Sequence, residues 1–123
     1  MNDRRRLLGA AGERLATALL QSKGYTILER NARTARGELD IVARTPAGVV
    51  VFVEVRTRRG PDAAQAAVDS VGIRKQRRLA ELASAYLAKD QADVDARIDV
   101  ITIAVADDGT VLSVRHLENA VEG

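Results

Sequence analysis

The acidic residues Asp40 and Glu54 are the side chains whose setting points most directly to chemistry. Asp40 lies in the strand-like segment 37–42, and Glu54 directly follows the apolar run 49–53. A tight turn at 45–48 would place these two segments side by side as strands. Two adjacent carboxylates repel each other unless a positive charge lies between them. A hard divalent cation held by oxygen ligands, Mg²⁺ or Mn²⁺, is one source of that charge.

Arginine is the other source of positive charge. The chain has 16 arginines and 3 lysines, and several arginines lie near the two acids in sequence: Arg33, Arg36, Arg56 and Arg58. An unpaired buried carboxylate costs several kcal/mol, so Glu54 should face either a cation or an arginine. The spacing alone leaves a metal site and a set of salt bridges equally open.

The residue types that are missing exclude several classes of site. The 123 residues contain no Cys and one His, so thiolate zinc sites, iron–sulfur clusters and a cysteine nucleophile are excluded. Aromatic residues make up 2% of the chain, too few for the stacking surfaces that most single-strand readers use. His116 is expected to be structural or exposed, and Asp99 with Arg97 forms either an ion pair or part of the site.

Charge is distributed unevenly along the chain. Residues 1–78 hold 16 Lys and Arg against 8 Asp and Glu, whereas residues 79–123 hold 3 and 9. A basic face on a small protein is typical of a polyanionic partner, although a solvated surface is the plainer interpretation. We expect nucleic acid, DNA in particular, to contact the following side chains: Arg36, Arg58, Arg59, Arg74, Lys75, Arg77 and Arg78.

The elements that must position these residues follow from hydrophobic periodicity and turn signals. Helices are predicted over 7–23 and from about 70 to 89, and strands over 25–31, 38–43, 49–56, 98–106 and 111–117. The predicted fold is α/β, a central mixed sheet flanked by helices in the order α-β-β-β-α-β-β. The length fits a single domain over 1–123, with 1–6 as a mobile terminus. No segment resembles a membrane helix or a targeting signal, which favours the cytoplasm.

A family resemblance rests on five groups of residues in a fixed order. They are Asn31 with Arg33, residues 37–40, residues 52–58, Ser70 and Val71 with Lys75, and residues 97–100. From about Gly12 to Val100 the chain resembles the YraN-like family of uncharacterised bacterial proteins. That family resembles the PD-(D/E)XK nuclease superfamily, and archaeal Holliday-junction resolvases in particular. The core of that superfamily is the restriction endonuclease-like fold, whose order of elements agrees with the order predicted above.

The resemblance implies roles for four residues. Asp40 and Glu54 would be metal ligands, and Glu13 on the first helix would be a third acid. Arg56 stands where the superfamily pattern has lysine. Arginine stays protonated and cannot serve as a general base, but it could hold a phosphate oxygen. The resemblance to the resolvases also implies a homodimer.

Two functions remain open from the sequence. One is a Mg²⁺-dependent endonuclease that acts on DNA, including branched or structured DNA. The other is a catalytically inert nucleic-acid-binding or protein-interaction module on a nuclease scaffold, which the arginine at position 56 favours.

Overall fold

A five-stranded mixed β-sheet with helices on both faces forms the body of the protein. The computed structural model describes residues 3–60, 62–70, 72–90 and 95–121, and their side chains except those of 3–6, 73–75, 89–90 and 121. The elements in chain order are α1 (Asp3–Ser22), β1 (Thr26–Thr34), β2 (Gly37–Arg44), β3 (Val50–Arg59), α2 (Ala63–Asp69), α3 (Ile73–Asp90), β4 (Ala96–Val105) and β5 (Val111–Val121).

The strands lie in the sheet in the order β1-β2-β3-β4-β5. All neighbouring pairs are antiparallel except β3 and β4, which are parallel from Val50–Ala96 to Arg59–Val105. A parallel pair needs a crossover connection, and α2 and α3 lie in the segment that provides it. The α/β architecture predicted from the sequence is therefore confirmed.

The structure departs from the sequence-based expectation at several points, and β1, β3 and β5 each end three or four residues later than predicted. α1 begins at Asp3, four residues before the predicted start at Leu7, and residues 1 and 2 lie outside the described residues. The expected mobility of residues 1–6 stays a prediction. An additional short helix, α2, occupies the alanine-rich segment after β3. Asp90, expected to begin an acidic loop over 90–95, is the last residue of α3. Residues 91–94 of that loop lie outside the described residues.

The face of the sheet under α1 carries one apolar core. Ala16 and Leu20 of α1 are fully buried against strand residues that include Ile41, Val53 and Ile101. The helix ends where the sequence indicates: Gly24 has a φ of 85°, and the Tyr25 N–H donates to the Leu20 carbonyl at 3.0 Å. Glycine reaches this left-handed conformation without steric cost, which turns the chain into β1.

The opposite face carries a second core under α3. Leu79 and Leu82 pack there against Leu39 and Phe52, and Phe52 makes an edge-on contact with Tyr86 at 5.6 Å between ring centroids. The middle of α3 lies beside the β1–β2 turn, since Arg78 and Leu82 both approach Gly37. Among the described residues, no helix has the length and apolar content required to span a membrane.

Candidate functional site

The site begins where β2 separates from β3. The antiparallel pairing of these strands runs from Arg44–Val50 to Ile41–Val53, and within the described sheet β3 continues to Arg59 paired with β4 alone. Asp40 is the first residue of β2 beyond the paired segment. Its Oδ2 accepts a hydrogen bond from the Val55 N–H at 2.8 Å. The Asp40 carboxylate therefore caps the exposed edge of β3, in the position that a strand carbonyl would otherwise occupy.

Glu54 is the first β3 residue beyond the same paired segment. Its side chain is 7% exposed, and its Oε1 lies 3.1 Å from the Arg56 Nη2. Residues two apart on a strand point to the same face, which lets Arg56 reach the carboxylate. The salt-bridge alternative is thus realised for Glu54. Arg56 Nε is buried and has no hydrogen-bond partner among the described residues.

Glu13 is the acid that α1 brings to this end of the sheet. Burial raises the pKa of Glu13 above its ordinary value, and the negative charges of Glu38 and Glu54 raise it further. The Arg30 guanidinium opposes this by favouring the charged carboxylate. Glu13 is therefore a better proton acceptor near neutral pH than a solvent-exposed glutamate.

One cavity of about 1030 Å³ brings these groups together. It lies along the exposed edge of β3, between the first half of α1 and the β4–β5 turn. All four residues predicted to be catalytic line it. The complete lining is Leu8, Gly9, Glu13, Asp40, Glu54, Val55, Arg56, Thr57, Arg58, Arg59 and Asp107.

Gly12 sets how closely α1 approaches β3. A Cβ on Gly12 would lie 2.1 Å from the Thr57 Oγ1, far inside contact distance, whereas a Cβ on Gly9 would meet nothing within 4 Å. Thr57 Oγ1 is itself buried without a hydrogen-bond partner among the described residues. The close approach of helix and strand therefore depends on the missing side chain at position 12, and it holds Glu13 over the cavity.

Gly12→Ala is expected to lower the free energy of unfolding by about 1–3 kcal/mol, because the added methyl group displaces the helix from Thr57. Gly9→Ala is the matched control. It should be neutral or stabilising by up to about 1 kcal/mol, since alanine is the better helix former and the space is open. Urea unfolding followed by circular dichroism measures both. Equal effects of the two substitutions would contradict the proposed packing role of Gly12.

The donor set in the cavity fits a hard divalent cation. Mg²⁺ is usually bound by one or two carboxylates, with water and substrate phosphates completing its shell, and Asp40 and Glu54 supply two carboxylates. No group of three or more acidic or histidine side chains within the described part of the chain is close enough to hold an ion without such help.

A family model describes the larger part of this chain. The model for "Uncharacterised protein family UPF0102" matches residues 12–103. The chain belongs to the UPF0102 family. This is the YraN-like family that the sequence motifs indicate, so that prediction is confirmed.

Curated relatives match over nearly their whole length. A UPF0102 protein from Desulforamulus reducens is 41% identical, with 98% of this chain and all of the relative covered. One from Roseiflexus castenholzii is 45% identical over 99% of this chain and 98% of its own. A third, from Pelobacter propionicus, is 46% identical over 93% and 81%. Among solved structures, Pyrococcus furiosus SfsA in complex with Ca²⁺ matches with a TM-score of 0.40 and 20% identity, over 97% of this chain and 65% of SfsA.

The basic residues predicted to contact nucleic acid fall into two groups in this UPF0102 protein. Arg58 and Arg59 line the cavity. Arg36 and Arg78 lie instead beside the β1–β2 turn, where Arg36 is 3.7 Å from Glu81 and Arg78 approaches Gly37. Arg77 is exposed on α3. The side chains of Arg74 and Lys75 lie outside the described residues, and the nucleic-acid contacts predicted for all seven side chains stay predictions.

Arg97 and Asp99 lie apart from the cavity lining and form an ion pair at 3.0 Å, in which Asp99 is fully buried and Arg97 partly exposed. His116, two strands away from Glu54 across the sheet, donates from Nε2 to the same aspartate at 2.7 Å. The geometry thus favours an ion pair for Asp99 and Arg97 over a part in the site, which are the two roles that the sequence leaves open.

Sequence reasoning missed the contributions of Gly12, Glu38 and the Val55 amide. The only signal for Gly12 is a glycine inside a helical pattern, which usually has a packing reason. The structure pairs Glu38 with Arg33 at 3.9 Å and brings its charge near Glu13. A backbone amide leaves no sequence signal.

Proposed function

We propose that this protein is a metal-dependent phosphodiesterase that cleaves DNA, including branched or structured DNA. The observation that supports this is the convergence of Glu13, Asp40, Glu54 and Arg56 on one cavity at the exposed edge of β3. Asp40 and Glu54 would supply oxygen ligands for a hard cation, and Arg56 would supply a donor for a phosphate oxygen.

Asp40 and Glu54 would hold the cation, Mg²⁺ or Mn²⁺. When bound, such an ion lowers the pKa of a coordinated water and neutralises charge on the phosphate. Asp40 is held in place by the Val55 N–H, so its second oxygen, Oδ1, is directed by the backbone rather than by a flexible rotamer. A ligand fixed in this way needs no reordering when the cation arrives.

Arg56 and Glu13 would act on the phosphate and the water. Arg56 is positioned by Glu54, and its guanidinium can stabilise negative charge on a phosphate oxygen while remaining protonated throughout. Glu13, whose pKa is raised by burial, can orient the attacking water and accept its proton.

Cleavage of DNA by the purified protein tests this proposal. Single-stranded DNA, blunt duplex and a four-way junction are incubated with Mg²⁺, Mn²⁺ or EDTA, with a single-stranded RNA as a further arm. The expected result is cleavage of at least one DNA with either metal and none in EDTA. Absence of cleavage of every DNA at several protein concentrations would contradict the proposed activity.

A second candidate is an inert binding module, and the 3.1 Å contact between Arg56 and Glu54 favours it. In that case the arginine replaces the cation as the partner of the buried acid. Calorimetric titration with Mn²⁺ separates the two functions. Binding that disappears in Asp40→Asn supports the metal site, whereas absence of Mn²⁺ binding together with DNA binding in EDTA supports the inert module.

A further inference from the structure

The β1–β2 pair changes the face that it buries at Asp40. Ile41 packs into the core under α1, whereas Leu39, two residues earlier, packs into the core under α3. In a regular strand, residues two apart point to the same face, so β2 rotates by about half a turn about its own axis between Leu39 and Ile41. Asp40 is the residue at which this rotation occurs.

The rotation explains where the Asp40 carboxylate lies. Regular alternation would direct Asp40, like Val42, into the apolar core under α3, where a carboxylate is costly to bury. Its Oδ2 instead accepts from the Val55 N–H at 2.8 Å. Because the N–H groups of a strand lie in the plane of the sheet, the carboxylate meets β3 at its edge rather than above or below it.

The backbone of β1 turns at the same level of the sheet. Asn31, the residue opposite the rotation, has a left-handed backbone with a φ of 52°. The register is the same on both sides of it, since Arg30 pairs with Ile41 and Ala32 with Leu39. Ala32, like Leu39, is buried in the core under α3. The two strands therefore rotate together, with no residue inserted into either at this point.

We propose that Asn31 is a positioning residue for Asp40, because its left-handed backbone rotates the β1–β2 pair and so directs the carboxylate to the exposed edge of β3. The inference deepens the proposed function and rests on it, since it names the residue that holds one of the two suggested metal ligands in place. Asparagine adopts this conformation more readily than most residues with a side chain, whereas a β-branched residue there is an outlier.

The Val55 amide reports the position of Asp40 without an assay of metal or DNA. Amide hydrogen exchange followed by NMR measures it, with the Glu54 and Arg56 amides as references, because backbone alternation directs these two to β4. In Asn31→Val, the Val55 amide should exchange at least about tenfold faster relative to the references, since it loses a hydrogen bond to a charged group. Asn31→Gly should keep the relative rate of the natural chain within about twofold, because glycine takes the left-handed conformation without steric cost.

Asn119→Val is the matched control for a general loss of stability. Asn119 also has a left-handed backbone, with a φ of 51°, but it lies on β5, where its own amide donates to Asp99. Both valine substitutions should destabilise the protein, and Asn31→Val alone should change the relative exchange of the Val55 amide. If circular dichroism shows that Asn31→Val is unfolded, Asn31→Ala replaces it, because alanine is not β-branched and is less strained at a positive φ.

Calorimetric titration with Mn²⁺ tests the step from position to metal binding. Loss of a group that orients a ligand typically weakens metal binding about 10–100-fold. Asn31→Val is therefore expected to weaken Mn²⁺ binding at least about tenfold, and Asn31→Gly should bind Mn²⁺ as the natural chain does.

Several outcomes would overturn the inference. Unchanged relative exchange of the Val55 amide in a folded Asn31→Val or Asn31→Ala variant would do so, as would Asn31→Gly being as impaired as Asn31→Val. An equal response to Asn119→Val would make Asn31 a residue of general stability only. If the natural chain binds no Mn²⁺ while the Val55 amide responds as expected, the proposed function fails and the placement of Asp40 by Asn31 stands. Mn²⁺ binding that Asn31→Val leaves unchanged removes the inference and leaves the proposed function intact.

Discussion

Asp99→Ala is expected to lower the free energy of unfolding by about 3–5 kcal/mol, which is a large part of the stability of a domain of this size. Asp99 is fully buried on β4, so its removal leaves the partly buried Arg97 guanidinium, within the described residues, with only the exposed Glu118, 3.5 Å away, as a counter-charge. When one partner of such a pair is removed, the protein loses stability mainly because the other charge stays inside without its partner, rather than because a contact is lost.

Three donors converge on the two oxygens of Asp99. Arg97 Nε and the Asn119 N–H donate to Oδ1 at 3.0 and 2.9 Å. His116 Nε2 lies 2.7 Å from Oδ2, and its Nδ1 lies 2.8 Å from the Lys23 Nζ. An ammonium group only donates, so Nδ1 accepts and the ring proton lies on Nε2, directed at Asp99.

The network also holds the irregular end of β5. The pairing of β4 with β5 shifts register between Ile98 and Val100, and Asn119 there has a φ of 51°. Asp99 supplies the acceptor for the Asn119 amide, which the bulge would otherwise leave unpaired. Loss of Asp99 therefore releases this segment as well as the ion pair.

The acid sensitivity of folding provides a second measurement of the same network. Burial raises the pKa of Asp99, but its hydrogen bonds with His116, Arg97 and Asn119 outweigh burial and hold the pKa below its ordinary value. A depressed folded-state pKa gives stability that is present above the unfolded pKa of about 4 and is lost as the pH falls through the folded value. Asp99→Ala should therefore lose less stability than the natural chain as the pH falls below about 4, the unfolded pKa of an aspartate.

Urea unfolding of Asp99→Ala and Asp95→Ala tests this prediction. Asp95 is exposed next to β4, and its replacement should change the unfolding free energy by no more than about 0.5 kcal/mol. If both substitutions cost the same, or if the acid limb of the stability curve is unchanged in Asp99→Ala, Asp99 does not have the stabilising role assigned to it.

The strands of the fold can be predicted from the sequence because the signals for them are local. The continuous apolar run before Glu54 predicts a strand buried on both faces, and Val51, Phe52 and Val53 are each buried in one of the two cores. The Asp-Asp-Gly sequence at 107–109 is a turn signal of this local kind, and β4 and β5 pair as a hairpin across it. Such patterns depend on neighbours a few residues apart, which a sequence displays directly.

The candidate site is only partly predictable, because its geometry depends on contacts between distant residues. The proximity of Asp40 and Glu54 follows from two strands joined by a tight turn, but the bond from Val55 N–H to Asp40 requires β2 to leave β3 at Ile41. Asn31 on β1 lies opposite Asp40, and its positive φ of 52° marks an irregular backbone at this point of the sheet. Lys23 and His116 lie 93 positions apart, and no local pattern connects them.

Asp40→Asn and Glu54→Gln are each expected to reduce metal-dependent cleavage at least about 100-fold, if the protein has the proposed activity. A cation at a phosphoryl centre supplies several kcal/mol of charge stabilisation, and each ~1.36 kcal/mol corresponds to a factor of ten in rate. An amide is a neutral and poorer ligand for Mg²⁺ than a carboxylate. Either substitution should therefore weaken the hold on the ion.

These substitutions preserve the fold better than alanine would. The asparagine side chain introduced at position 40 has an oxygen that can accept from the Val55 amide. The glutamine side chain introduced at position 54 likewise has an oxygen for the Arg56 guanidinium. The loss of activity can then be assigned to the charge rather than to unfolding. Circular dichroism and urea unfolding verify this for each variant before rates are compared.

Initial cleavage rates in Mg²⁺ measure the effect on activity, and calorimetric titration with Mn²⁺ measures the effect on metal binding. Glu29→Gln is the matched control. Glu29 is an exposed acid on β1 whose carboxylate accepts from the Tyr86 hydroxyl at 3.2 Å, and glutamine can keep that bond. The control should retain both activity and Mn²⁺ binding. If Asp40→Asn and Glu54→Gln cleave as fast as Glu29→Gln, the two acids are not metal ligands. The Arg56–Glu54 ion pair would then be the complete explanation for the buried glutamate, and the source of the activity would lie elsewhere.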